Sequence, residues 1–159
     1  MSKQKITPCL SFDFKAEEAV NFYTSVFKDS KITHLSYYDE INPGNKGEVM
    51  VIMFELNGQE IMALNTGPYF KFTEAVSLMV NCDTQEEIDY YWDKLSAGGE
   101  EVQCGWLKDK FGVFWQIAPS NIADLVASGD QARTNRVMKE VGSMIKLDIA
   151  KLTEAYNGK

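Results

Sequence analysis

The sequence predicts an α+β fold of two tandem βαβββ units followed by C-terminal helices, and three observations predict it. Short runs of apolar residues alternate with a period of two, while others recur at helical spacing. The order of these runs starts again near residue 74. The last forty residues carry helical stripes only.

Residues 6–12 (ITPCLSF) are short, apolar and bounded by charge, which predicts a strand with Leu10 and Phe12 on one face. In KAEEAVNFYTSVFKDS, residues Ala19, Val20, Tyr23, Val26 and Phe27 recur at helical spacing. Glu17 and Glu18 fall in its first turn, where the helix dipole favours anions. Strands are expected at about 31–38, 49–56 and 59–65. Asn57-Gly58 joins the last two, a pair whose tolerance of positive φ suits a type I′ hairpin. Residues 41–47 read as a polar loop.

The second round begins with a strand at 75–81. Thr84 and Glu87 then form a capping-box pattern before a helix that ends at Gly98-Gly99. Strands at about 101–107 and 113–118 follow, with a tight turn around Lys110-Phe111-Gly112. A shift of 68 residues pairs Leu10 with Leu78 and Phe12 with Val80; a shift of 69 pairs Glu17-Glu18 with Glu86-Glu87 and Val26 with Leu95.

After Pro119, Ser120 is positioned to cap a short helix that breaks at Ser128-Gly129. A helical run from about 130 carries one stripe of Val137, Met138, Val141, Met144 and Ile145 and another of Ile149, Leu152 and Tyr156. These stripes need a surface to cover, either their own domain or a dimer interface. The expected division is a domain at 1–119, with repeats at about 5–66 and 74–119, and a helical extension at 120–159.

Sixteen basic residues against 23 acidic ones give a net charge of -7. Residues 1–129 carry 10 basic and 19 acidic groups, the rest six and four. Binding to nucleic-acid backbones needs basic groups that displace counterions, so it is not expected. No run reaches the 18 or so apolar residues of a membrane span, and the start lacks the apolar block of a signal peptide. A cytoplasmic protein without membrane partners is expected. Cys9, Cys82 and Cys104 are odd in number, widely spaced and without a C-x-x-C pair, which suggests neither a disulfide framework nor a thiolate zinc site.

His34 is the only histidine and cannot anchor a multi-histidine metal site. A catalytic triad would have to use it, and no nucleophile motif supports one. The glycines lie in hairpins and helix ends, with neither G-x-G-x-x-G nor a P-loop. Asp109 and Lys110 read as an ordinary charged surface turn, and Glu55 and Glu60 as solvated carboxylates beside the hairpin.

The strand order together with AEEAVNFY resembles the vicinal oxygen chelate superfamily, which includes glyoxalase I, bleomycin-resistance proteins and extradiol dioxygenases. FELNGQEIMALNTGP, AVSLMVNCDTQEEIDYYWDKL and CGWLKDKFGVFWQIAP are similar to its PhnB-like branch, often labelled 3-demethylubiquinone-9 3-methyltransferase. RVMKEVGSMIKLDIAKLTEA resembles the tail of that branch. The resemblance implies that the tandem βαβββ repeats form an open eight-stranded cupped barrel with a ligand cavity, in a homodimer. No Gly-rich turn for a methyl donor is present, so the methyltransferase reading is disfavoured.

In metal-dependent members of the superfamily, four histidine or glutamate side chains point into the cup. Carried onto this chain, the first position falls at Cys9 or Pro8 and the second at Ser77 or Val76. Aligning Gly58 with Gly112 gives Met62 and Gln116 for the other two. Cys9, Met62, Ser77 and Gln116 lack the donors that hold divalent ions, so no metal and no cofactor is expected. Gln116 facing inward puts Phe114 and Ala118 on its face, and Trp115 and Ile117 against a helix. The resemblance sets Asn65, Cys104 and Trp106 near the rim. These residues predict a site for a small, partly aromatic molecule. The alternative is a metal-free lyase, isomerase or antibiotic-modifying enzyme using Gln116, Cys9 or His34.

Overall fold

The computed structural model describes residues 4–40, 45–127 and 129–158. Residues 41–44 of the expected loop, and Ser128 of the expected helix break, lie outside them. The chain divides into two compact units, Met1–Lys71 and Phe72–Lys159.

The first unit runs β1 (Cys9–Phe12), α1 (Ala16–Val26), β2 (Ser30–Tyr37), β3 (Val49–Leu56) and β4 (Gln59–Asn65). Its sheet has the order β1-β4-β3-β2, with β1 parallel to β4 and the other pairs antiparallel. Strands β3 and β4 begin and end where the sequence predicts, because Asn57 (φ 47°) and Gly58 (φ 79°) take the positive angles of the expected hairpin. Alternation buries Leu10, Phe12, Ile52, Phe54, Ile61 and Ala63. All five apolar residues predicted for α1 are buried as well, with the Tyr23 ring stacked 6.5 Å from Phe54.

Lys15 at the start of α1 has no side chain able to accept the free amides of the first turn. Asn65, at the end of β4, does so from a distance: its Oδ1 accepts from the Ala16 N–H at 2.9 Å and its Nδ2 donates to the Val49 carbonyl at 2.8 Å. Helix, β3 and β4 are tied through one buried amide.

The second unit runs β5 (Leu78–Cys82), α2 (Gln85–Ser96), β6 (Glu100–Glu101), β7 (Trp106–Lys108) and β8 (Phe114–Pro119), then α3 (Ile122–Val126), α4 (Gln131–Ser143) and α5 (Ile149–Asn157). Its sheet repeats the first, β5-β8-β7-β6, with β5 parallel to β8. Ile88, Trp92 and Leu95 are the buried residues of α2, which packs against β5, β7 and β8. Thr84 caps α2 by accepting from the Glu87 N–H as expected, while the Glu87 carboxylate accepts from the N–H of Asp83, one residue before the cap, so the return bond of the expected capping box is displaced by one residue.

Several boundaries differ from expectation. The first strand begins at Cys9 rather than residue 6, and the strand expected at 75–81 begins at Leu78, leaving Ser77 just before it. The single strand expected at 101–107 is a hairpin instead. Cys104 (φ 64°) and Gly105 (φ 79°) turn the chain left-handed, so β6 runs back along β7. Strand register also corrects the repeat. Cys9 pairs with Met62 and Met79 with Gln116; the strand ends pair Phe12 with Asn65 and Cys82 with Pro119. With Met62 matched to Gln116, the counterpart of Cys9 is Met79, not Ser77. The expected pairing slipped by two residues, which keeps every side chain on its face and leaves the hydrophobic pattern unchanged. The helices match as expected, with Val26 equivalent to Leu95.

Helix α3 starts after Asn121 without a side-chain cap, and the expected cap Ser120 instead donates its N–H to the Cys82 carbonyl at 2.8 Å. Helix α4 ends at Ser143, so Met144 and Ile145 leave helical phase. Val137, Met144, Leu147 and Leu152 are buried with Ala118. Met138 and Ile145, expected on the same stripe, are exposed at 51% and 52%. Among the described residues no helix is long and apolar enough to cross a membrane.

Candidate functional site

Strand β8 alternates, placing Trp115 and Ile117 in the core while Phe114 and Gln116 stay half-buried on the other face. The antiparallel register sets Trp106 of β7 directly opposite Gln116. Trp106 and Phe114 are therefore diagonal neighbours on one sheet face, within reach of each other's side chains. Around them lies an open cavity of about 480 Å3, lined by Glu74, Val102, Gln103, Cys104, Trp106 and Phe114. Beside it, Gln116 Nε2 donates to Ser77 Oγ at 2.7 Å.

The cavity wall is built by the unexpected hairpin. The Val102 N–H donates to the Trp106 carbonyl at 2.8 Å, closing a tip that holds Gln103, Cys104 and Gly105. The C-terminal segment fastens that tip. Cys104 and Gly105 donate their N–H groups to the carbonyls of Met144 and Ile145, both at 2.8 Å, and the Gly105 carbonyl accepts from Ile117 at 2.8 Å. A β-carbon at Gly105 would lie 2.8 Å from the Ile117 oxygen and 2.9 Å from Leu147 Cγ, so only glycine fits between sheet and tail. Gln85 completes the attachment by donating to the Leu147 carbonyl at 3.2 Å and accepting from the Ile149 N–H at 2.9 Å.

Asp109 lies in the turn between β7 and β8 and corrects the expectation of a surface turn. It is 1% exposed. Its Oδ1 accepts from the Phe111 and Val113 amides at 2.8 and 3.0 Å, and its Oδ2 from Trp115 Nε1 at 2.8 Å. Three donors satisfy a buried carboxylate and lock the β7–β8 turn. The sequence carries a weak signal for this, an acidic residue three before a glycine and six before a tryptophan, but nothing that separates it from a solvated turn.

The predicted residues fall into two groups. Cys104, Trp106 and Phe114 line the cavity, and Gln116 and Ser77 lie beside it. Glu74, Val102 and Gln103 complete the lining; sequence reasoning missed Glu74 because it sits in a loop, and Val102 and Gln103 because the single strand expected at 101–107 concealed the hairpin tip. Cys9, Met62 and Asn65 belong to the first unit. Cys9 and Met62 are neighbours in register, continued across the sheet by Met53 and His34. Asn65, expected near a rim, is buried with its amide committed to Ala16 and Val49. His34 is exposed and meets Ser36 Oγ through Nε2 at 3.0 Å. Glu55 pairs with Lys31 at 3.1 Å, and Glu60 accepts from Thr7 Oγ1 at 3.3 Å.

These donors do not suit a divalent ion. Among the described residues no group of three or more His, Cys, Asp or Glu side chains converges. The paired strand positions offer Cys9 beside Met62 and Met79 beside Gln116, two thioethers and an amide with one thiol. Partial desolvation pushes the Cys9 thiol up, even though the residue is exposed, and so disfavours the thiolate a metal would need.

Two four-stranded sheets from repeated βαβββ units, followed by helices, define the mixed α+β fold of the vicinal oxygen chelate superfamily. The family model described as 3-demethylubiquinone-9 3-methyltransferase matches residues 4–118, and the chain belongs to that family, in its PhnB-like branch. A PhnB protein from Bacillus cereus, also carrying the methyltransferase name, is 46% identical over 73% of this chain and 99% of its own, with a TM-score of 0.67. A protein from Pseudomonas aeruginosa shares the fold at 21% identity and a TM-score of 0.64, over 74% of this chain and 98% of its own. So does a fosfomycin resistance protein from Listeria monocytogenes, solved with manganese(II) and sulfate, at 13% identity and a TM-score of 0.55 over 82% of this chain and all of that one. No curated protein matches the chain. The methyltransferase name is a family label and establishes no activity.

Proposed function

We propose that the chain binds a small, largely apolar molecule in the second unit's cavity, by burial and hydrogen bonding rather than metal chelation. One observation carries this reading: Trp106 and Phe114 stand side by side on an open sheet face, around a cavity large enough for a drug-sized ligand. Covering about 200 Å2 of apolar surface is worth about 5 kcal/mol, enough for binding in the high-micromolar range before polar contacts. The Trp106 indole N–H has no partner among the described residues, and neither does the side-chain oxygen Oε1 of Gln116. Each can serve a polar atom on the ligand.

Soaking crystals with a mixture of aromatic fragments tests the proposal. Ordered density against Trp106 and Phe114, lost in Phe114→Ala, supports it. Density confined to the Cys9–Met62 row, or none, contradicts it. Metal analysis of the purified protein is the second test, and near-stoichiometric zinc, nickel, manganese or iron would overturn the metal-free part. Homodimerisation belongs to the same proposal, supported by Met138 and Ile145, which leave apolar surface exposed on the C-terminal segment. Sedimentation should show twice the chain mass; a single-chain species at micromolar concentration contradicts it.

A further inference from the structure

The cavity is nearly uncharged, and its one full charge is negative. Of the six lining residues only Glu74 carries a carboxyl group, and none is basic. Its carboxylate is exposed and makes no ion pair or hydrogen bond among the described residues. Lys108 is the basic residue on this sheet face, opposite Phe114 in register. Its ammonium is 2.6 Å from the Glu100 carboxylate, which neutralises it. Two aromatic side chains, Trp106 and Phe114, line the same space, and aromatic rings attract cations to their faces. The protein as a whole carries -7, so its long-range field also attracts cations.

We infer that this cavity takes an organic cation with a flat apolar body, its nitrogen set between the Glu74 carboxylate and the rings of Trp106 and Phe114. This rests on the cavity reading above and adds the ligand's charge. An anion of the same size would meet no basic partner there and one repelling carboxylate. A neutral molecule would leave Glu74 without a partner of opposite charge and gain only the apolar burial.

Three aromatic probes of matched size separate these cases: 2-phenylethylammonium, 2-phenylethanol and 3-phenylpropanoate. Their affinities are measured by titration followed on the indole resonances of the intact protein. The ammonium probe should bind about fivefold or more tighter than the alcohol at low salt, with the propanoate weakest, and the gap should narrow as salt screens the exposed carboxylate. Glu74→Gln should bring the ammonium probe to the level of the alcohol. Glu74→Lys should reverse the order of the two ions. Equal binding of all three at Trp106 would overturn the inference and leave the cavity reading standing. A cation preference that survives Glu74→Gln would overturn the role given to Glu74. Failure of every probe to move Trp106 would overturn the cavity reading itself.

Discussion

The two units share strand order, helix placement and register, yet each is held by a different buried polar group. Among the described residues these are the two buried polar or charged side chains: Asn65 in the first unit and Asp109 in the second. Asn65 ties a helix start to the sheet because Lys15 offers no cap. In the second unit Thr84 caps the helix locally, and the buried group instead secures a hairpin turn. Strands β7 and β8, which correspond to β3 and β4 in sheet order, are shorter than those two, and the hairpin before them, β6–β7, doubles back at Cys104. One repeat plan thus carries two different ties, and in the second unit the β6–β7 tip forms a wall of the cavity.

The largest effect should come from removing the two ties. Asp109→Ala leaves three donors without their acceptor and should cost about 3–5 kcal/mol, while Asn65→Ala should cost about 1–3 kcal/mol. Urea denaturation of both variants measures this; equal losses would remove the contrast between the units. Gly105→Ala should cost about 2–4 kcal/mol, from overpacking against Ile117 and Leu147 together with positive φ. Gly58→Ala, with open space around its β-carbon, should cost about 1–2 kcal/mol from φ alone. Limited proteolysis should also show the segment after Ser143 released in Gly105→Ala and retained in Gly58→Ala.

Thiol chemistry sharpens the comparison without altering stability. Cys82 is fully buried, and desolvation, helped by Glu87 and Asp83, pushes its thiol up to about 12. Alkylation in the folded protein should therefore modify Cys104 in the cavity wall at least tenfold faster than Cys82. Comparable rates would mean that the second unit opens readily.

The smallest effect is electrostatic. Hydrogen bonds from Lys146 and Gln85 hold the Asp89 carboxyl below its ordinary value of 3.8. A lowered acid stabilises the fold above the unfolded-state value and loses that contribution as pH falls through the folded one. The loss should therefore fall below about pH 4, as a slight loosening of the C-terminal segment that Lys146 anchors at 2.7 Å. Because the pair is part-exposed the change should be small, and Lys146→Met should abolish it. Hydrogen exchange at Leu147–Ile149 reports the loosening; no difference between pH 5 and pH 3 would contradict it.

The fold was largely legible because its signals are local. Asn57-Gly58 fixed a hairpin to the residue, and Ala19, Val20, Tyr23 and Val26 fixed a helix face. The misread features depend on information that period-two patterns lack. Val102, Cys104 and Trp106 alternate as a single strand would, yet a left-handed turn at Cys104-Gly105 interrupts them, and only the glycine hinted at it. The slip from Met79 to Ser77 is invisible to alternation because it preserves parity. Of the candidate site, Cys104, Trp106 and Phe114 were readable from strand phase and resemblance. Glu74 was not, because a loop carboxylate in sequence looks the same whether it faces open solvent or a cavity. Asp109 and Asn65 were misplaced for a related reason: burial of a polar residue depends on donors that arrive from elsewhere in the chain.

The three tryptophans provide the most direct test of ligand binding at the second unit. Trp92 Nε1 donates to Glu101 at 3.0 Å and Trp115 Nε1 to Asp109 at 2.8 Å, whereas the Trp106 indole is uncommitted at the cavity. In a nitrogen-15 correlation spectrum titrated with an aromatic ligand, the Trp106 indole resonance should move while those of Trp92 and Trp115 stay in place. A titration that shifts backbone signals of Cys9 and Met62, with all three indoles unmoved, would contradict the account.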